Sequence, residues 1–319
     1  MQAISENKLL HHLDRVNGDF RPITADVFLT NYCNNRCSWC TFNRWERDSG
    51  SVGIPYADFV KYTERLVEVG VQGIILTGGG EPTINRDFDR ITAFLEQKGV
   101  PYGINTNFNK LVFCKPEYLK VSLDGYSEAS YEAVRGVRAY STVRSNIVAF
   151  AAWKQRERLH TNLGIQMVVT DPADVIKFYE ANGDLPVDYI VYRPIESTRG
   201  EYYKMPENLR AAEKAIIEIN DLRSKDKRVI LNYKWDMLQR GFGRCAAHWA
   251  QIALNEKGQV IYCCHKPYEV IGHILDEDIL EKHTKARTDS RMCDVPCRLT
   301  APNLFMENVL EKPVNVAFI

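Results

Sequence analysis

Over the first two thirds of the chain, short apolar runs alternate with longer stretches in which apolar residues return every three to four positions. The runs TADVFLT (24–30), GIILTG (73–78), VPYGINTN (100–107), YLKVSLDG (118–125), LGIQMVVT (163–170) and VDYIVYRP (187–194) predict six strands. Between them, YADFVKYTERLVEVG (56–70), INRDFDRITAFLEQKG (84–99), SEASYEAVRG (127–136), TVRSNIVAFAAWKQRER (142–158) and DPADVIKFYEANG (171–183) predict amphipathic helices, most of them stopped by a glycine. Repeated strand–helix units imply a parallel sheet with right-handed crossovers. Six units predict a partial (β/α)6 TIM-like barrel, because a closed eight-stranded barrel typically takes about 250 residues. After Pro194 the rhythm changes: 207–225 predicts a helix and RVILNYKW (228–235) a further strand. From Cys245 onward the chain reads as irregular and cysteine-rich. The expected organisation is an N-terminal extension (1–24), a barrel (25–240) and a small C-terminal cysteine-rich domain (241–319), with the boundary near 240.

The polar clusters fall where barrel active sites lie, at the C-terminal ends of strands. NYCNNRC follows the first strand, GGGEPT the second, NTNFN the third and SLDG the fourth.

Composition narrows the options. The chain has 319 residues, 45% of them hydrophobic, and Lys+Arg equals Asp+Glu at 41 each. A protein that grips nucleic acid through phosphates usually shows a basic excess, and none is present. The N-terminus is polar, without the apolar core of a signal peptide, and no run of 18 apolar residues follows. The expectation is a soluble cytoplasmic protein that does not engage the membrane. Nine cysteines in a reducing compartment point to metal ligation rather than disulfides. Three fall within eight residues near the start and five in the last quarter. Cys114 stands alone, as a small buried apolar residue does.

Cys33, Cys37 and Cys40 form CNNRCSWC, and thiolates so spaced can converge on one iron–sulfur cluster. Three ligands on a cubane leave one iron open to a reactant. The competing possibility is a zinc knuckle completed from elsewhere. The loop, with Trp39 at its aromatic position, resembles the CxxxCxΦC signature of the radical SAM superfamily. That resemblance implies an enzyme in which the open iron binds S-adenosylmethionine and reductive cleavage yields a 5′-deoxyadenosyl radical, with flavodoxin or ferredoxin as electron donor. Gly78, Gly79, Gly80, Glu81 and Pro82 resemble the superfamily's GGEP stretch, which meets the methionyl ammonium. Ser122 and Asp124 in SLDG, and Arg135 in AVRG, resemble further cofactor-contacting segments, although such residues also form ordinary turns and caps. Arg193, ending the sixth strand, is a candidate partner for the methionyl carboxylate, its alternative being a surface ion pair.

Cys245 is followed by twelve residues, Gly258, four residues and Cys263, and later by Cys293 and Cys297. This resembles the auxiliary-cluster extension called SPASM, or its shortened form Twitch. It implies that Cys245, Cys263, Cys293 and Cys297 ligate a second 4Fe–4S cluster, with a zinc site as the alternative. The final CxxxC departs from the commoner CxxC, and Cys264 adjoins Cys263, so either of those two is a possible ligand. The segment 270–283 resembles the family's connecting helix region.

An auxiliary cluster that accepts an electron implies oxidation of the substrate. A short N-terminal extension and neutral charge favour a small polar metabolite such as an aminosugar, cyclitol or nucleoside over a peptide or nucleic-acid base. The alternatives are a redox-neutral epimerase, with Cys264 as hydrogen donor or simply as a spare ligand, and a non-catalytic iron–sulfur or zinc sensor. GGGEP disfavours the sensor, which needs no methionine-binding strand end.

Overall fold

The computed structural model describes residues 8–16, 20–40, 42, 53–196, 202–238, 242–286, 293 and 296–307. The ends of the expected N-terminal extension and C-terminal domain, 1–7 and 308–319, lie outside the described residues.

The six expected strands form as β1 (Thr24–Phe28), β2 (Gly73–Thr77), β3 (Tyr102–Thr106), β4 (Tyr118–Ser122), β5 (Asn162–Val169) and β6 (Tyr189–Pro194). They pair in sequence order, all parallel, and β7 (Val229–Leu231) continues the series beside β6. A helix α1 (Leu13–Val16) precedes them. The crossovers carry α2 (Tyr56–Glu68), α3 (Phe88–Lys98), α4 (Glu128–Arg135), α5 (Tyr140–Arg156), α6 (Asp174–Asn182) and α7 (Pro206–Lys225).

Alternate strand residues divide the sheet into two faces. Val27, Leu76, Ile104, Leu119, Ile165 and Ile190 pack under the helices in one core with Phe59, Leu95, Ile147 and Phe178. The other alternation, which includes Asp26, Thr77, Asn105, Lys120 and Arg193, faces the concave interior. Cys114 is buried in the helix-side core.

The irregular tail expected after Cys245 is instead ordered sheet. β8 (Gln251–Leu254) pairs in parallel with β1, and β9 (Gln259–Cys263) and β10 (Lys266–His273) follow as antiparallel strands. The sheet order is therefore β10-β9-β8-β1-β2-β3-β4-β5-β6-β7. The tail was hard to read as strands because they are short and broken by Asn255, Gly258 and the paired cysteines. α8 (Ile279–Lys285) begins within the segment expected to hold the connecting helix and runs two residues past it, and α9 (Thr300–Phe305) follows Cys297. Because β8 adds outside β1 and does not meet β7, the barrel stays open, a partial TIM-like α/β fold. No helix among the described residues is long and apolar enough to cross a membrane.

Candidate functional site

The CxxxCxxC loop leaves β1 at the C-terminal mouth of the barrel, and three neighbouring segments clamp it. From α4, the Arg135 carbonyl accepts the Arg36 N–H at 2.8 Å and the Val134 carbonyl accepts the Ser38 N–H at 3.4 Å. Gly136 then caps α4 with φ 69°, and a Cβ there would lie 2.6 Å from the Arg36 carbonyl oxygen. The AVRG stretch is thus a helix end that lets the loop pass close by.

The second clamp is the GGGEP turn. The Glu81 N–H donates to the Tyr32 carbonyl at 2.8 Å, just before Cys33. A Cβ on Gly80 would lie 1.8 Å from that same carbonyl oxygen, so no other residue fits without moving backbone. Gly80→Ala is expected to cost about 1–3 kcal/mol through forced backbone displacement. Thermal unfolding and the iron content of reconstituted protein measure this. Wild-type values for both would show that the two turns do not depend on this contact.

Glu81, an expected cofactor contact, engages its carboxylate within the protein. Its carboxylate is buried and accepts from the Thr83 N–H and hydroxyl, the Thr106 hydroxyl and the Asn107 N–H, at 3.2, 2.7, 2.5 and 2.7 Å. Burial raises its pKa against these four donors. Its side chain ties the β2 turn to the end of β3. Pro82 begins the short 3-10 turn that Glu81 caps.

The third clamp is a ring of amides that sequence reasoning passed over. The Asn107 side chain donates to Asn34 at 2.7 Å and to the Cys33 sulfur at 3.8 Å. Asn109 donates to Asn35 at 2.7 Å, and the Asn35 backbone N–H points at the Cys33 sulfur at 3.4 Å. Asn at alternate positions in NTNFN was the available signal.

Arg135 Nη1 donates to the buried Cys37 sulfur at 3.3 Å, and Nη2 pairs with Asp124. Asp124, at φ 45°, also accepts the Val168 N–H at 2.6 Å. Both Asp124 oxygens are therefore engaged, and this carboxylate positions Arg135. Burial opposes the Arg135 charge, but Asp124 and Cys37 raise its pKa. Burial pushes Cys33 up to about 12, partly offset by the Asn35 N–H. Trp39 and Cys40 are half-buried at the loop's end, Gly78 and Gly79 follow β2, and Ser122 ends β4 in register with Gln166.

Thiols with N–H donors aimed at them suit cluster ligation, because such bonds stabilise thiolate sulfur. Among the described residues no three His, Cys, Asp or Glu side chains converge on a single-ion position. A cubane asks for no such point, since each thiolate binds a separate iron.

The second cysteine group gathers where β9 meets the α9 region. Cys245 is buried and accepts from the Asn303 amide at 3.4 Å, and the Leu299 N–H points at the Cys297 sulfur at 3.4 Å. Burial, then Cys297, pushes Cys245 up to about 12, with Cys293 acting in the same direction. Cys263 is raised by burial, with charge from Cys264, Cys297 and Cys245 adding to it. Charge from other expected ligands thus acts on both Cys245 and Cys263. Cys264, whose charge also acts on Cys263, packs near Phe28, Ala253 and Ile261, with Arg298 Nη2 3.4 Å from its sulfur. Burial opposes it, yet His265 and Arg298 bring its pKa down to about 7. Arg193 pairs with Glu196 at 2.9 Å, and that carboxylate also pairs with Lys234.

Residues 27–149 match the radical SAM superfamily, so the chain carries a radical SAM domain. No curated protein matches the chain by sequence. Among solved structures, SuiB of Streptococcus suis bound to precursor peptide SuiA shares the fold over 90% of this chain, with TM-score 0.57 and 16% identity. The chain spans 66% of that protein's length. anSMEcpe with bound AdoMet shares it over 85% of this chain and 88% of its own, with TM-score 0.59 and 17% identity. These likenesses are of fold. A domain of this superfamily works with a 4Fe–4S cluster and S-adenosylmethionine, and the three-thiol loop fits that pair.

Proposed function

We propose that this radical SAM enzyme removes hydrogen from a small polar metabolite, an aminosugar, cyclitol or nucleoside, and oxidises it. The observation that carries the reading is the Cys33–Cys37–Cys40 loop, clamped at the barrel mouth with N–H donors at two of its sulfurs. Once bound, the cluster and S-adenosylmethionine supply a 5′-deoxyadenosyl radical that takes hydrogen from a substrate C–H bond.

The chain's own residues do the rest. Cys33, Cys37 and Cys40 would hold the first cluster. Gly78, Gly79 and Gly80 offer a strand-end backbone close to the methionyl group, which Ser122 flanks, while Glu81 and Asp124 hold the turns and Arg135 in place. Arg193, whose Nη2 pairs with Glu196, has a buried Nε without a partner that would meet a carboxylate. Cys245, Cys263, Cys293 and Cys297 would hold the auxiliary cluster, which would supply an electron acceptor for the oxidation. In this reading the barrel is 25–240 and the auxiliary-cluster segment 241–319. The enzyme works in the cytoplasm with a flavodoxin or ferredoxin as reductant.

A second reading, epimerisation, is favoured by one observation: Cys264 packs on the Phe28 side of the sheet, with Arg298 Nη2 3.4 Å from its sulfur. One experiment tests both. Anaerobically reconstituted, reduced protein is expected to release 5′-deoxyadenosine, and a screen of candidate sugars, cyclitols, nucleosides and peptides in deuterated water identifies the product. An oxidised, unlabelled product supports oxidation, and Cys264→Ala then retains turnover. Deuterium at a carbon of inverted configuration supports Cys264 as donor, and the variant then cleaves the cofactor with little product. No 5′-deoxyadenosine from any preparation would overturn both readings.

A further inference from the structure

Arg298 is the residue after Cys297, and its side chain reaches across to β1. There Nη1 and Nη2 both meet the Asp26 carboxylate, Nη1 at 3.5 Å. Asp26 is 1% exposed and sits between Ala25 and Val27, which belong to the helix-side core. The same carboxylate accepts the Gln251 side-chain amide of β8 at 2.5 Å, and Arg298 Nη2 lies 3.4 Å from the sulfur of Cys264, next to the end of β9. One guanidinium thus joins β1, the β9 end that carries Cys263, and the turn that carries Cys297.

The other bonds of that turn stay within the cysteine segment. The Leu299 N–H points at the Cys297 sulfur, the Thr300 N–H donates to the Cys297 carbonyl at 3.1 Å, and Asn303 donates to Cys245. Stability alone gives little reason for a buried ion pair here. Burying two charges costs roughly what their attraction returns, and apolar residues of similar volume would pack as well. A guanidinium on a carboxylate brings two properties that apolar contacts lack. The fork fixes direction, because both N–H groups must meet one planar carboxylate. The charges also act at a distance, with the positive end on the side of Cys264 and Cys297 and the negative end on β1.

We propose that Arg298 and Asp26 are positioning residues for the auxiliary site: the pair ties the Cys297 turn to β1 and balances the charge beside it. A guanidinium alone would favour the reduced, more negative state of a cluster held there, and a carboxylate alone would disfavour it. Together they hold its potential between those limits and so set the point at which it takes an electron. This rests on the reading that Cys245, Cys263, Cys293 and Cys297 hold a cluster.

Two variants that break the same bond separate this from a purely mechanical role. Asp26→Asn keeps the shape of the side chain and leaves the guanidinium unbalanced. Arg298→Met keeps much of the packing and removes the positive end. The expected result is shifts of opposite sign: Asp26→Asn makes the auxiliary cluster easier to reduce and Arg298→Met makes it harder. Each should change the ratio of reduced to oxidised cluster at a fixed potential about tenfold, or about 60 mV for a one-electron couple. Arg298→Lys, which keeps the charge without the fork, should stay near the wild-type potential, and the Asp26→Asn, Arg298→Met double variant should lie between the two single ones. Lys225→Met, on the exposed face of α7, is the control and should shift nothing. The measurement is a redox titration followed by electron paramagnetic resonance on the anaerobically reconstituted full chain. It is repeated with Ala at Cys33, Cys37 and Cys40, where the auxiliary cluster gives the remaining signal. Shifts of the same sign, or none, in variants that keep their second-cluster iron overturn the proposal. Should Arg298→Met lose that iron, Asp26→Asn and Arg298→Lys carry the comparison, and a wild-type potential in Asp26→Asn overturns it. About four irons in the wild type instead of eight would overturn the auxiliary-cluster reading itself, and this inference with it.

Discussion

Reconstituted wild-type protein is expected to hold about eight irons, and the variant carrying Ala at Cys33, Cys37 and Cys40 about four, with 5′-deoxyadenosine release falling below detection. The physical reason lies in the separation of the two thiol groups. Cys33 and Cys37 are served by Asn35, Asn107 and Arg135, whereas Cys245 and Cys297 are served by Asn303 and Leu299. None of these donors serves both groups, so emptying one site leaves these bonds of the other intact. The check is iron and sulfide quantification with chromatography of the cleavage products. The reciprocal change, Ala at Cys245 and Cys263, should also leave about four irons but preserve slow cofactor cleavage. Zinc in the second site would remove the electron-acceptor role and leave the first site untouched. Persistent cleavage in the triple variant would mean that the radical is generated elsewhere.

The parallel core was legible because its strands are short, largely apolar runs and each helix repeats at the α-period, so β1 to β6 emerged in order. The auxiliary strands were not, since β8 has only four residues and its partner is β1, more than two hundred residues away. Local pattern carries no record of such a pairing. The same limit applied inside the site. The CxxxCxxC thiols announce themselves by spacing, but the burial of Glu81 and its ties to Thr83, Thr106 and Asn107 depend on tertiary contact between two strand ends. Asp124 read as a cofactor contact, and both its oxygens proved to be engaged by Arg135 and Val168. A weaker signal was present for the interior charges. A lone Lys in YLKVS and a lone Asp in TADVF interrupt strands that should be continuously apolar, and a charge there marks the concave face.

Arg135→Met is expected to destabilise the protein by about 3–5 kcal/mol, because it removes one partner of a buried pair and leaves the other charge uncompensated. The Asp124 side chain is 0% exposed and would keep only the Val168 N–H. Burial sets the size: exposed pairs such as Lys225 with Asp221 typically contribute about 1 kcal/mol or less. The double variant Asp124→Asn, Arg135→Met should recover part of the loss, since no carboxylate is then stranded, and the double-mutant cycle isolates the pair. A second readout concerns the cluster itself. Arg135 Nη1 lies 3.3 Å from the Cys37 sulfur, and loss of a cationic N–H donor there should make the first cluster harder to reduce. A redox titration followed by electron paramagnetic resonance should therefore show a more negative potential for the first cluster and an unchanged one for the second. Arg135→Lys, which keeps the charge without the two-pronged fork, should fall between the two in both measurements. Wild-type stability in Arg135→Met, together with no coupling in the cycle, would show that Asp124 and Arg135 do not sustain each other. An unchanged potential would show that the guanidinium does not act on the cluster.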